Sequence, residues 1–290
     1  MMATFSLGFF LLIPLVSNSV GLLLVVALVN ALLTPPFWSL IHEAIHRTYY
    51  PTAQVNDNAG RIMAVLFGTI FPLVQYAHLL HHRMNRQGPD LIDAYNPEQE
   101  NFLLKSIKYY LHIFGGLYLV ELLIPILTFL PSHTLDKLLQ KNVGISSPYY
   151  VVAKNKLLTQ QSLKRMRFDA ICLYGLLIFS FILYGSHAWI LIIGLLGRGF
   201  VISFADNLPH YGTPIDQPRY AYNTYLPSFL RNYWFNFNLH RIHHENPTVP
   251  WYELYPIFLR KQEQYDIGYF QQAIKQLRGI WPIQSSNKIN

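Results

Sequence analysis

The chain has 290 residues, of which 52% are hydrophobic and 13% charged, with a formal net charge of +7 and a single cysteine. Soluble domains carry roughly 25% charged residues, so half that supply excludes an ordinary water-soluble globule. The apolar excess, with a mean hydropathy of +0.21, excludes a disordered chain, and the lone Cys172 excludes a disulfide-built secreted module; a multi-pass integral membrane protein is the class that remains.

Residues 1–41 contain no Asp, Glu, Lys or Arg, and Glu43 is the first formal charge. As helix, about 41 residues at 1.5 Å each span roughly 60 Å, two crossings of a ~30 Å hydrocarbon core. The spacing predicts a first hairpin turning at Ser17-Asn18-Ser19. No basic stretch precedes the apolar run, so a secretory signal peptide is not expected. Residues 42–104 follow with two histidine bursts on either side of an apolar run at 62–77. Residues 105–167 form a mixed stretch. Its apolar part, 109–130, holds His112, Glu121 and the pair Gly115-Gly116. This part is expected to be re-entrant or interfacial and broken at the glycines, the alternative being a true crossing.

The remainder, 131–167, carries Lys137, Lys141, Lys154, Lys156, Lys164, Arg165 and Arg167 against Asp136 alone. The positive-inside rule places it in the cytoplasm. A second hairpin is predicted at 168–206, turning at Gly185-Ser186-His187. Four crossings in two hairpins then put the segments after 41 and after 205 on one face. Arg198, within the last apolar run, is expected to snorkel or to pair with Asp169. Residues 207–290 hold the last histidine burst and one or two amphipathic helices at 251–281. Those helices form a cytoplasmic cap or lie on the membrane surface. A frayed tail is expected at 285–290. The fold class is all-α, one membrane domain over 1–290.

Histidine is the informative residue. Most of the 12 histidines fall in bursts: His42-Glu43-Ala44-Ile45-His46, His78-Leu79-Leu80-His81-His82 and His240-Arg241-Ile242-His243-His244. His210 stands alone after the last apolar span, four residues beyond Asp206, and His112, His133 and His187 are scattered. On a helix, residues i, i+3 and i+4 share one face about 5–6 Å apart. Each burst therefore presents a stripe of imidazoles beside a membrane boundary. Without a metal, many of those nitrogens would lack partners and protonation would set like charges together. Neutral imidazole suits Zn, Cu, Fe and Ni. The first burst alone matches the H-E-x-x-H zinc-protease pattern with Glu43 as general base. One zinc site, needing about three protein ligands, would leave the other bursts unemployed. A metal-binding membrane protein without catalysis is a weaker option.

The set HEAIH, HLLHH and HRIHH, with a membrane hairpin between the second and third, resembles the three histidine boxes of the membrane fatty acid desaturase and hydroxylase superfamily. The stretch Asn238 to Leu254, NLHRIHHENPTVPWYEL, is similar to that family's third box with its trailing Pro and Trp. The resemblance runs from the first hairpin to Leu254. It implies two non-haem iron ions on the cytoplasmic face, O2 as co-substrate, and His42, His46, His78, His81, His82, His240, His243 and His244 as ligands. Family members add a ninth histidine after the last span with an asparagine four residues before it. His210 fits that place, but Asp206 stands where the asparagine would be and Asn207 is one residue off. Asp206 is then a candidate iron ligand, directly or through water, or a hydrogen-bond partner of His210; the other reading is a solvated helix-end carboxylate or one paired with Arg198. Asp206, Glu43 and Glu245 are candidates for offsetting the charge of an all-imidazole site.

The first box has three residues between its histidines, unlike the four of acyl-CoA desaturases. The third begins with His240, unlike the glutamine of desaturases fused to cytochrome b5. One cysteine cannot hold an iron–sulfur cluster, which takes about four thiolates, so electrons are expected from a separate ferredoxin-like or rubredoxin-like carrier. The expected substrate is a lipid acyl chain, with desaturation as the reaction; a carotenoid ketolase or hydroxylase is the near alternative. The net charge is read as cytoplasmic anchoring to anionic lipid rather than docking of an acidic carrier on 154–167. Nucleic acid is not an expected partner, because the basic residues flank membrane segments.

Overall fold

The structure, a computed structural model, describes residues 1–283, so the tail expected at 285–290 lies outside the described residues. The fold is nearly all helical. The chain forms two compact units: Met1–Leu80 with Leu117–Val201, and His81–Gly116 with the chain from Ile202 onward.

The first unit carries the two hairpins. Residues Met2–Val16 form an apolar helix that widens to a π-turn at Gly8–Leu12. It ends where Ser17 turns extended. Ser17 Oγ accepts from Ser19 N–H and Ser19 Oγ from Leu22 N–H, which caps the next helix, Val20–Leu32. That helix meets Thr34–His46 at a 46° bend. Pro35 and Pro36 open the second arm and have no N–H to continue the ladder across Leu33. The helix Ala53–Phe67 likewise turns into Phe71–Met84 through 102°. Gly68 makes that turn at φ +110°, and a Cβ there would sit 2.2 Å from the Tyr118 hydroxyl.

Gln160–Tyr184 and Ala188–Asn207 are joined by the tight turn Gly185–His187. A straight helix from residue 169 to 198 would measure about 44 Å. Yet Asp169 is bound to Arg61 and Arg198 to the carbonyls of Leu66 and Phe67, all on one short stretch of helix. The chain must therefore fold back, as the uncharged turn predicts. Phe9, Phe10, Leu23, Val26, Ala27, Tyr184, Ile190 and Leu191 form the core between the hairpins. Gly194 is needed there, since a Cβ would meet the Phe9 ring at 2.5 Å. Ile171, Ile178, Ile182 and Leu196 stay exposed on the same helices, which is the surface lipid would cover.

Arg198 departs from expectation. It neither snorkels nor reaches Asp169, whose carboxylate is held by Arg61 at 2.6 Å. Its guanidinium is 1% exposed. It donates to Leu66 O (3.0 Å), Phe67 O (2.7 Å), Ser6 Oγ (3.0 Å) and Asn30 Oδ1. The rings of Phe10 and Phe67 lie over it. The two carbonyls end the Ala53–Phe67 helix, where the helix dipole favours a cation. Neutral oxygens, not a carboxylate, receive this charge.

The expected break at the glycine pair is present. Phe102–Leu111 is capped by Asn101, whose Oδ1 accepts from Leu104 N–H, and the helical path is interrupted at Phe114 and Gly115, the latter at φ +122°. Residues Phe102–Phe129 are nonetheless long and apolar enough to cross a membrane, as are Gln160–Asn207; counting each bent pair as one span gives up to four.

The second unit holds the amphipathic helices Trp251–Arg260 and Tyr269–Gln276, two rather than one. It also contains short strand pairs that the helical reading does not anticipate. Ala94–Tyr95 runs parallel to Trp281–Pro282, and Thr224–Tyr225 to Ile267–Gly268. Each is two residues long, below what hydrophobic alternation can signal.

Candidate metal centre

In the first unit, His42 and His46 lie one turn apart on the Thr34–His46 helix, so both project from one face. His78, on Phe71–Met84, completes a trio. Its Nε2 is 2.9 Å from His46 Nε2, and the three ring centroids are 4.5–4.9 Å apart. Glu43, buried on the same helix, accepts a hydrogen bond from Thr48 Oγ1 at 2.7 Å.

In the second unit, His81, His210, His240 and His244 converge from three separate stretches of chain, with ligand atoms within 4.8 Å of one another. His210 Nε2 lies 3.1 Å from His81 Nε2 and 3.0 Å from His240 Nε2. A neutral imidazole nitrogen is either one donor or one acceptor, so His210 Nε2 cannot satisfy both neighbours. Both ring nitrogens of His244 are buried with no hydrogen-bond partner among the described residues. Nitrogens about 3 Å apart are what ligands at about 2.1 Å from one ion present when the angle between them is near 90°. The donor set fits a metal ion. Burial, and then the neighbouring imidazoles, holds His210 and His244 well below the ordinary histidine pKa. They are therefore in the neutral form that ligation requires. Beside this quartet, His82 and His243 face one another at 2.9 Å between Nε2 atoms, and His82 stacks on His244.

The third burst is placed by an unusually short helix, His240–Glu245. Its N-terminus is capped from a distance: Asn223 Oδ1 accepts from Arg241 and Ile242 N–H. Leu239, Ile242, Leu254 and Phe258 bury its other side. His210 follows the Ala188–Asn207 helix in a turn closed by His210 N–H to Asn207 O. Asn207 itself donates to Gln276 Oε1, and Gln272 donates to Leu208 O and Tyr211 O, which pins the turn.

Asp206 is exposed and is not among the residues whose ligand atoms converge. Glu245 is taken by Lys261 at 2.6 Å. A carboxylate that does reach a clustered imidazole is Asp90, whose Oδ1 is 2.9 Å from His81 Nδ1. Sequence reasoning missed it. The available signal was a carboxylate within ten residues of a histidine burst, since ligating histidines commonly offer their second nitrogen to such a group. Asn223, remote from every burst, left no signal of its own.

Helices that fit a bilayer and histidines gathered into close sets define a membrane protein with the makings of a metal centre. The profile of the family described as Fatty acid desaturase matches residues 19–273. The chain belongs to that family, whose members are oxidoreductases. No curated protein and no solved structure shows a match to it.

Proposed function

We propose that the chain is an O2-dependent di-iron oxidoreductase that introduces a double bond into a lipid acyl chain. The observation that carries the reading is the quartet His81, His210, His240 and His244, in which His210 Nε2 is shared between two neighbouring imidazoles and both ring nitrogens of His244 lack a hydrogen-bond partner among the described residues. These four would hold one iron. His42, His46 and His78 of the first unit would serve the second iron, and His82 and His243 are the remaining boxed histidines of the second unit. Asp206, exposed and four residues before His210, would act through water. Bound iron would supply the activation of O2 that an unactivated C–H bond demands. The overall change balances with two hydrogens leaving adjacent carbons, and O2, two electrons and two protons becoming two waters.

The chain's own contribution is ligation, orientation and dryness. His240, His243 and His244 are 2–3% exposed, and His210 6%, so bulk water is kept from the nitrogens. Phe237 packs its ring against His240, adding an apolar wall. Electrons would come from a separate ferredoxin-like or rubredoxin-like carrier, since Cys172 is the only cysteine. The lysines and arginines of 131–167 support placing the centre on the cytoplasmic side. Lipid and carotenoid profiling of cells expressing the wild type or His244→Ala tests the substrate. A new unsaturated acyl chain made only by the wild type is expected. Oxidised carotenoid with unchanged acyl chains would overturn the acyl assignment.

A further inference from the structure

Between the second histidine burst and the helix at Phe102, the chain runs through a loop whose polar groups tie to one clustered histidine and to the turn that follows another. Asp90 is the first tie. Its Oδ1 meets His81 Nδ1 at 2.9 Å, and its Oδ2 accepts the backbone N–H of Arg86 at 2.9 Å. Arg86 has φ +66°, a left-handed conformation uncommon outside glycine. Its guanidinium is buried against Asp93 and the face of Trp281. Asp93, fully buried, also accepts the backbone N–H of Gly212 at 2.8 Å. Gly212 stands two residues beyond His210. Arg86 thus holds Asp90 with its backbone while its side chain, through Asp93, grips the turn that carries another histidine of the quartet.

The consequence for His81 is chemical. A carboxylate can only accept, so the proton of His81 sits on Nδ1 and the Nε2 lone pair faces His210 Nε2 at 3.1 Å. By contrast, Nδ1 of His210 and of His244 has no hydrogen-bond partner among the described residues. We propose that Asp90 is a positioning residue for the metal centre, fixing the tautomer and ring plane of His81 and making it the quartet's best-oriented and most basic ligand. This rests on the quartet being a metal site, as the proposed function holds.

The test is an anaerobic Fe(II) titration of the full-length protein in detergent, stripped of metal beforehand, followed by equilibrium dialysis and metal analysis. Wild type, Asp90→Ala, Asp90→Glu and, as a control far from the histidines, Asp136→Ala are compared. Asp90→Ala is expected to weaken one class of iron site about 10- to 100-fold. The other class, and the melting temperature of the metal-free protein, should stay as in the wild type. Asp90→Glu should recover part of the loss, and Asp136→Ala should match the wild type. Wild-type affinity at every site in Asp90→Ala would overturn the inference. So would an equal loss at both classes together with a lowered metal-free melting temperature, which marks the carboxylate as purely structural. A wild-type protein that binds no iron would instead overturn the metal reading beneath it.

Discussion

The trio His42, His46 and His78 and the quartet His81, His210, His240 and His244 are assembled by different means. Regular helix builds the trio: one turn of Thr34–His46 sets two rings side by side, and Phe71–Met84 brings the third. Remote hydrogen bonds build the quartet. Asn223 caps the helix of His240 and His244, Asp93 holds the turn after His210, and Asp90 holds His81. A stripe on a long helix needs only the periodicity of its own segment. A cluster drawn from short helices and turns needs side chains elsewhere to specify each approach, so it has more places at which it can be broken.

Removing a quartet ring is the largest expected effect. His244→Ala should lower activity by about a hundredfold or more and take iron from one site, while His133→Ala, a histidine outside both sets, should retain full activity and iron; elemental analysis beside lipid profiling reads both. Next is the buried arginine of the first unit. Arg198→Met takes the buried guanidinium from Asn30, Ser6 and two helix-end carbonyls, of which Phe67 O keeps the Tyr118 hydroxyl, at about 2–4 kcal/mol. Unfolding in detergent should show that loss. A variant as stable as the wild type would mean the guanidinium is not what joins these helices.

Gly68→Ala tests the sharp turn leading to His78. At φ +110° and with the Tyr118 hydroxyl 2.2 Å from a Cβ, the cost should be about 1–3 kcal/mol, read by the same unfolding measurement. The smallest effect is expected from Asn223→Ala. Loss of the distant cap should destabilise by about 1 kcal/mol, and Fe(II) titration should show weaker binding in one class of site only. Equal weakening of both would erase the contrast between the two sets.

Much of the trio was legible because helical spacing is local. The bursts read directly as stripes, and Gly115-Gly116 marked the break in 109–130 that the backbone makes at Gly115. The turn at Gly185–His187 was legible for the same reason. What escaped depends on pairings across the sequence. Arg198 finds Ser6 and Asn30, 192 and 168 residues away, where the nearer carboxylate of Asp169 had seemed its partner. Asp90 reaches His81 while held by the N–H of a left-handed Arg86, a conformation no residue type there announces. Asp206 stood out in the sequence for its place before His210, yet its carboxylate lies outside the convergent set.

The most direct test of the account is the metal content of the purified protein after anaerobic loading, with Fe and Zn offered together. Two sets of clustered imidazoles predict about two Fe per chain, falling to about one in His244→Ala. One Zn per chain that survives His244→Ala, but is lost in His46→Ala, would contradict it.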